Sequence, residues 1–170
     1  MDNASKLRPL TAAGTLLGIG MGGFVDGILF HQVLQLHGML SAKYPRTGVD
    51  ATTALVNVEI NMFWDGLFHA LTWTMTALGI ALLWHTVQRR DVPLSTRALV
   101  GSMALGWGLF NLVEGVIDHE LLGIHHVVEA GNHLPWDMAF LASGVVLILF
   151  GWSTIRAAHG DDMAPATAAR

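Results

Sequence analysis

Four stretches of this chain are long and apolar enough to cross a lipid bilayer, and that restricts the fold more than any other feature. Crossing hydrocarbon takes roughly 20 apolar residues as helix. The candidate spans run from about residue 11 to 36, 60 to 84, 99 to 122 and 134 to 155. Backbone groups in lipid must be satisfied internally, so only helices or a closed barrel will serve, and the alternation of a barrel is missing. All four carry interior glycines, which membrane helices use to bring backbones close together. The composition agrees: 52% of the 170 residues are hydrophobic and 13% charged, where a soluble domain carries about 25% charged residues. The expected fold class is therefore an all-α integral membrane protein, a bundle of four transmembrane helices in a lipid bilayer. A net charge of -4 with no long basic run argues against nucleic acid as a partner. The absence of cysteine excludes disulfides, thiolate metal sites and thiol catalysis.

Basic residues set the expected orientation. Lys6 and Arg8 precede the first span, Arg89, Arg90 and Arg97 lie between the second and third, and Arg156 follows the fourth. The loop after the first span holds only Lys43 and Arg46, and the loop after the third holds no Lys or Arg. The positive-inside rule then puts both termini and the middle loop in the cytoplasm. This gives a cytoplasmic segment 1–10, a membrane domain 11–156 and a polar, disordered cytoplasmic tail 157–170. The first apolar run is too long for a cleaved signal peptide and reads as a retained helix.

The spans repeat. Placing "LGIGMGGFVDGILFHQVLQLH" (17–37) over "LGWGLFNLVEGVIDHELLGIH" (105–125) makes eight of the twenty-one positions identical without a gap. Asp26 falls on Glu114, Gly27 on Gly115, His31 on His119 and His37 on His125. Spans two and four share a Trp-Asp pair, Trp64-Asp65 and Trp136-Asp137. Apolar matches between two glycine- and leucine-rich helices could be chance, but here the costly polar positions coincide. The reading is two parallel two-helix repeats, about 11–88 and 97–156, related by a pseudo-twofold axis along the membrane normal.

At about 100° per helical residue, Asp26 and His37 lie about 20° apart on one face of span one. Glu114, Asp118 and His125 share the matching face of span three. Asp65 and His69 are four apart, a spacing that lets two side chains grip one ion. Asp65, Asp137, His31 and His119 fall at one shallow level, with Asp26, Glu114 and His69 a turn or more deeper. One position resists: His31 is about 140° around the helix from Asp26, as His119 is from Glu114.

A charge at membrane depth costs a few kcal/mol even on the lenient insertion scale, roughly 2.5–3.5 for an aspartate. No Lys or Arg lies at these depths to offset it, so a bound metal cation is the economical compensation. Imidazole and carboxylate without sulfur suit zinc, iron, copper(II) or manganese. The candidate ligands are Asp26, His31, Asp65, His69, Glu114, His119 and Asp137, with His37 and His125 added at the outer edge. The competing reading is a metal-free hydrogen-bond network. For His37, His125 and Glu129, outer ligands, an ion funnel and plain interfacial residues all remain open. His85 and His159 read as packing residues, His126 and His133 as solvated loop residues, and Trp64 and Trp136 as interfacial belt residues. Asn111 and Gln35 are candidates for hydrogen bonds behind the ligands. The glycines at 18, 20, 22 and 23 read as a close helix contact.

The pattern "GFVDGILFHQVLQLHGM", "MFWDGLFHALTW" and "LFNLVEGVIDHELLGIHH" followed by "WD" resembles a family of small bacterial four-span membrane proteins classed only as a domain of unknown function. The resemblance covers about residues 17–152. It implies a bacterial inner-membrane location and no particular activity.

From the residues, the expected function is a membrane-embedded metalloprotein, with one or two transition-metal ions in the outer half of the bundle. A redox metalloenzyme meeting a small or oxygen-derived substrate on the periplasmic side is the first reading, and hydrolysis by a zinc-bound water is a variant on the same ligands. The alternative is a metal-ion or proton transporter, which the apolar cytoplasmic half disfavours. A b-type haem protein with His31 and His119 as axial ligands ranks lowest. A homo-oligomer is compatible with all three.

Overall fold

In the computed structural model, described here for residues 3–129 and 131–161, the chain forms four long helices joined by short connections. Helix α1 spans Asn3–Phe24 and continues as a π-helical turn, Val25–Val33. Helix α2 spans Ala51–Val87. Helix α3 spans Thr96–Glu114 and likewise ends in a π-helical turn, Gly115–Leu121. Helix α4 runs from Leu134 to Asp161. All four are long and apolar enough to span a membrane. The helices run past the expected spans at several ends, because capping side chains and local turns, not hydropathy, decide where a helix stops. Asp50 caps α2 by accepting from the amides of Thr52 and Thr53, and Ser95 caps α3 through Ala98. The Thr53 hydroxyl also donates to Asp50 and holds its carboxyl below the usual range. Of the expected tail 157–170, residues 157–161 continue α4 as helix and the remainder lies outside the described residues.

Helices α1 and α3 form the central pair; α2 packs on α1, and α4 packs on α3. Glycine makes the central contact possible. A Cβ on Gly18 would run into the carbonyl of Met103, and one on Gly106 into the carbonyl of Thr15. These are reciprocal contacts in the register that pairs His31 with His119. Gly14 meets Ser102 and Gly22 meets Trp107 in the same interface, while Gly20 meets Thr76 of α2. The glycine run is a close helix contact, as expected. At the end away from the π turns, a small apolar core of Leu7, Leu10, Val92, Ala98 and Ala158 closes the bundle.

The two π turns are built alike. The amide of Leu34 bonds the carbonyl of Leu29 at 2.8 Å, and Leu122 bonds Ile117 at 2.8 Å. One step on, Leu36 bonds Phe30 and Ile124 bonds Asp118, both at 2.9 Å. Between them the chain turns through a left-handed residue, Gln35 in the first case and Gly123 in the second, each with φ 52°. Glycine takes that conformation freely; glutamine takes it at a cost.

Candidate metal centre

The π turns settle the position that resisted helical geometry. Bonding from i to i+5 closes a wider turn than the α-helix, so side chains five apart come onto one side. Asp26 and His31 are five apart, as are Glu114 and His119. His31 Nε2 lies 3.0 Å from Asp26 Oδ2, and His119 Nε2 lies 3.0 Å from Glu114 Oε1. The chain then turns back and brings in His37 and His125, whose rings stack with centroids 4.8 Å apart and 6° between planes. His125 Nε2 sits 2.7 Å from Glu114 Oε1, and His37 Nε2 sits 3.8 Å from Asp26 Oδ1. All six residues are buried, none more than 5% exposed. Five of the six supply donor atoms to two overlapping groups, His31/His37/His125 and Glu114/His119/His125, each compact enough to hold an ion, while Asp26 stands against His31.

The far side of three of the imidazoles is held by a hydrogen bond. His37 Nδ1 donates to the carbonyl of Val127 (2.9 Å), and His125 Nδ1 donates to the carbonyl of Met39 (3.1 Å). Each half of the chain thus fastens its imidazole to the other half's loop. With Nδ1 committed to a carbonyl, Nε2 keeps its lone pair and points it inward. His31 Nδ1 donates to Asp65 Oδ1 at 2.8 Å, and His119 Nδ1 lies 3.3 Å from Asp137 Oδ1. The amides of Met39 and Val127 donate to those same two carboxylates. Burial, with the neighbouring His125 and His31 adding to it, pushes the His37 imidazolium down to about 2, so His37 is neutral at physiological pH.

What stands unpaired is as informative as what is paired. Asp26 Oδ2, His31 Nε2, His37 Nε2, Glu114 Oε2 and both ring nitrogens of His119 are buried without a hydrogen bond of good geometry among the described residues, although His31 Nε2 and Asp26 Oδ2 lie 3.0 Å apart. Leaving a buried polar group unsatisfied costs about 1–3 kcal/mol, more when it is charged. Gathered on one small set of residues, these atoms would be satisfied by a bound cation or by shared protons. Lone pairs of imidazole and carboxylate facing one another are relieved by a proton or by a metal cation between them, and these groups are compact enough to hold an ion. Among the described residues, the ion pairs of Asp26 and Glu114 are all with histidines. The donor set fits a transition metal.

Several expected ligands take other places. Asp65 stands behind His31, and Asp137 lies between His119 on one side and His126 and His133 on the other. His69 shares the face of Asp65, as its spacing requires, but its Nδ1 donates to the Asp65 carbonyl of its own helix at 2.6 Å, and its Nε2 edge packs where a Cβ on Gly27 would lie. His37 and His125, left open between several roles, lie at the middle of the cluster. Glu129 is tied by Ser41, whose hydroxyl donates to Oε1 at 2.6 Å. Asn111 donates to Ser143 rather than to a ligand, and Trp64 and Trp136 are exposed on the surface. Sequence reasoning passed over Gln32, whose amide donates to Asp65 Oδ2 at 3.3 Å; its one signal was standing next to His31.

Asp65 fixes the tautomer and direction of His31 without touching the unpaired atoms. Asp65→Asn is therefore expected to lower metal affinity by about 10- to 100-fold, the usual effect of losing such a partner, with the helical content unchanged. Chelator competition on the purified protein checks it.

The fold and this cluster define a class: a four-helix membrane protein with a buried, sulfur-free histidine–carboxylate centre. The family model for DUF2243, described as predicted membrane proteins, matches residues 13–158, and the chain belongs to that family. No curated protein and no solved structure matches it.

Proposed function

We propose that the protein is a membrane-embedded metalloprotein that holds one or two transition-metal ions between His31, His37, His119 and His125, with Asp26 and Glu114 completing the donor set. The observation that carries this reading is the pair of compact, buried donor groups, His31/His37/His125 and Glu114/His119/His125, several of whose polar atoms make no hydrogen bond. We further infer that the centre serves a redox reaction. A bound iron or copper ion would supply electron transfer there. The chain's own residues do the rest: the carbonyls of Met39 and Val127 and the carboxylate of Asp65 fix His125, His37 and His31, and Asp137 lies 3.3 Å from His119 Nδ1.

A groove of about 420 Å³ reaches Glu114 between α1, α2 and α3. Its walls include Phe68, Leu71, Met75 and Phe110, and Asp118 joins Glu114 as the second acid along it. A small, weakly polar molecule such as an oxygen species could approach this way, with Asp118 placed to pass a proton. The likeness between the two halves supports duplication of a two-helix unit, since π turn, left-handed residue and loop carbonyl recur in one register and a supporting aspartate recurs on the following helix. The distribution of Lys and Arg supports cytoplasmic termini in a bacterial inner membrane, with the centre toward the periplasmic face.

Transport fits less well. A path across the membrane would have to continue between α1 and α3, where Gly18 and Gly106 press helix against helix. A haem fits poorly too, because the stacked rings of His37 and His125 leave no gap for a porphyrin.

The test is elemental analysis and an absorption spectrum of protein purified without added metal. One to two equivalents of iron, copper, zinc or manganese per chain are expected, with no Soret band. A metal-free protein that also fails to take up any of these ions would end the proposal.

A further inference from the structure

His126 and His133 lie beyond the centre, yet they are not simply solvated. His126 Nδ1 lies 2.8 Å and His133 Nδ1 3.2 Å from the same atom, Asp137 Oδ2. Their rings stack with centroids 3.7 Å apart and 13° between planes. Asp137 itself is 1% exposed, while the His133 side chain is 46% exposed. The other oxygen of Asp137 faces His119 of the centre. One carboxylate therefore joins the buried site to a pair of imidazoles that reaches the surface.

The matching corner of the first half is built differently. Asn61 stands four residues before Asp65, as His133 stands four before Asp137, and Gly38 takes the place of His126. The Asn61 amide is spent on the Leu40 amide and the carbonyls of Tyr44 and Asn57. A Cβ on Gly38 would come within 2.8 Å of Asn61 Oδ1. That corner is packed shut, and a single donor from Gln32 suffices for Asp65 Oδ2. If the only need were to orient Asp137, one donor would suffice there as well. A second imidazole stacked on the first adds nothing to that task, but it completes a set of three ligand atoms.

We propose that His126, His133 and Asp137 form a second, exchangeable site for a divalent transition-metal cation, from which the ion passes to the buried centre along the Asp137–His119 side; the transfer step rests on the metal reading of the centre. Two imidazole nitrogens and a carboxylate oxygen are borderline ligands of the kind that bind zinc, copper(II) or iron(II). Three protein ligands leave a position for water, and an open position makes exchange fast. The centre, by contrast, buries its six residues, none more than 5% exposed, and is approached through the groove beside Glu114 rather than from the surface directly. A site that captures an ion at the surface and shares a carboxylate with the interior is suited to loading.

The experiment uses the full chain in detergent, stripped with chelator and titrated with Co(II), whose visible absorption reports its ligands. The His126→Asn/His133→Asn protein is expected to bind one equivalent fewer than the unaltered protein and to fill the remaining sites at least tenfold more slowly. A His31→Ala/His119→Ala protein should retain the equivalent that the first variant lacks, with the matching spectrum. Equal stoichiometry and equal filling rates in the unaltered and His126→Asn/His133→Asn proteins would overturn the proposal. Should the unaltered protein and His31→Ala/His119→Ala bind the same single equivalent, and His126→Asn/His133→Asn none, the outer site would stand and the metal reading of the centre would fall. If the double asparagine variant loses helical structure, His133→Asn alone carries the comparison, because that side chain is half exposed and its asparagine reproduces the corner at Asn61.

Discussion

Replacing His37 and His125 together by alanine is expected to lower the metal affinity of the centre by more than about 100-fold, beyond the range for losing a residue that merely supports a ligand. Both rings are almost completely buried, and each offers Nε2 to the cluster because its Nδ1 is committed to a loop carbonyl. Removing them takes away two of the four nitrogens and leaves Asp26 and Glu114 facing each other with less to neutralise them. Elemental analysis and competition with a chelator would show the loss directly. The same change also frees the carbonyls of Val127 and Met39, so part of any effect could come from loosened loops. Free imidazole separates the two causes. Added to the variant, it can enter the space left by the rings and restore metal binding if coordination was what was lost; loops that had come apart would not recover. A double variant that keeps its full metal content without imidazole would remove these histidines from the centre.

Gly106→Ala is expected to destabilise the fold by about 3 kcal/mol, the upper end for overpacking, and Gly18→Ala by a similar amount. In each case the added methyl meets backbone, the carbonyl of Thr15 or of Met103, which cannot rotate away as a side chain could. Relief requires α1 and α3 to move apart, and both π turns lie at the ends of those helices. The pair of substitutions should therefore cost metal binding as well as stability, although neither residue is near the ligands. Gly66→Ala on α2 is the internal comparison, because nothing lies within 4 Å of its added methyl; it should be neutral or slightly stabilising, as alanine is in an open helical position. Thermal unfolding in detergent, followed by circular dichroism, reads all three. Equal melting temperatures for Gly106→Ala and Gly66→Ala would contradict the close contact of the central pair.

Much of this arrangement could be read from the residues. Apolar runs gave the four helices, and the coincidence of Asp26 with Glu114 and His31 with His119 gave the matched halves of the site. The shallow level shared by Asp65, Asp137, His31 and His119 corresponds to real contacts. The failures share a cause: helical-wheel geometry assumes that the α-helix continues. At Val25 and Gly115 it does not, and the wider turn moves His31 and His119 from 140° away onto the face of their acids. Nothing in side-chain periodicity announces such a turn. His37 was placed near Asp26 by extending a helix that stops at Val33; it arrives there instead by a left-handed step at Gln35. His69 shows the reverse problem. Its spacing from Asp65 predicted the correct face, but spacing cannot say that a nearby carbonyl of the same helix will claim the ring nitrogen.

The crossed fastening of His37 to Val127 and of His125 to Met39 makes the pocket joint property. Separated at the linker between α2 and α3, either fragment would keep its own acid and two imidazoles but lose the anchors that aim one of them. Occupancy by a metal would then work as a clasp, drawing the fragments together only when both are present, and the affinity of one fragment for the other would rise with the concentration of free ion.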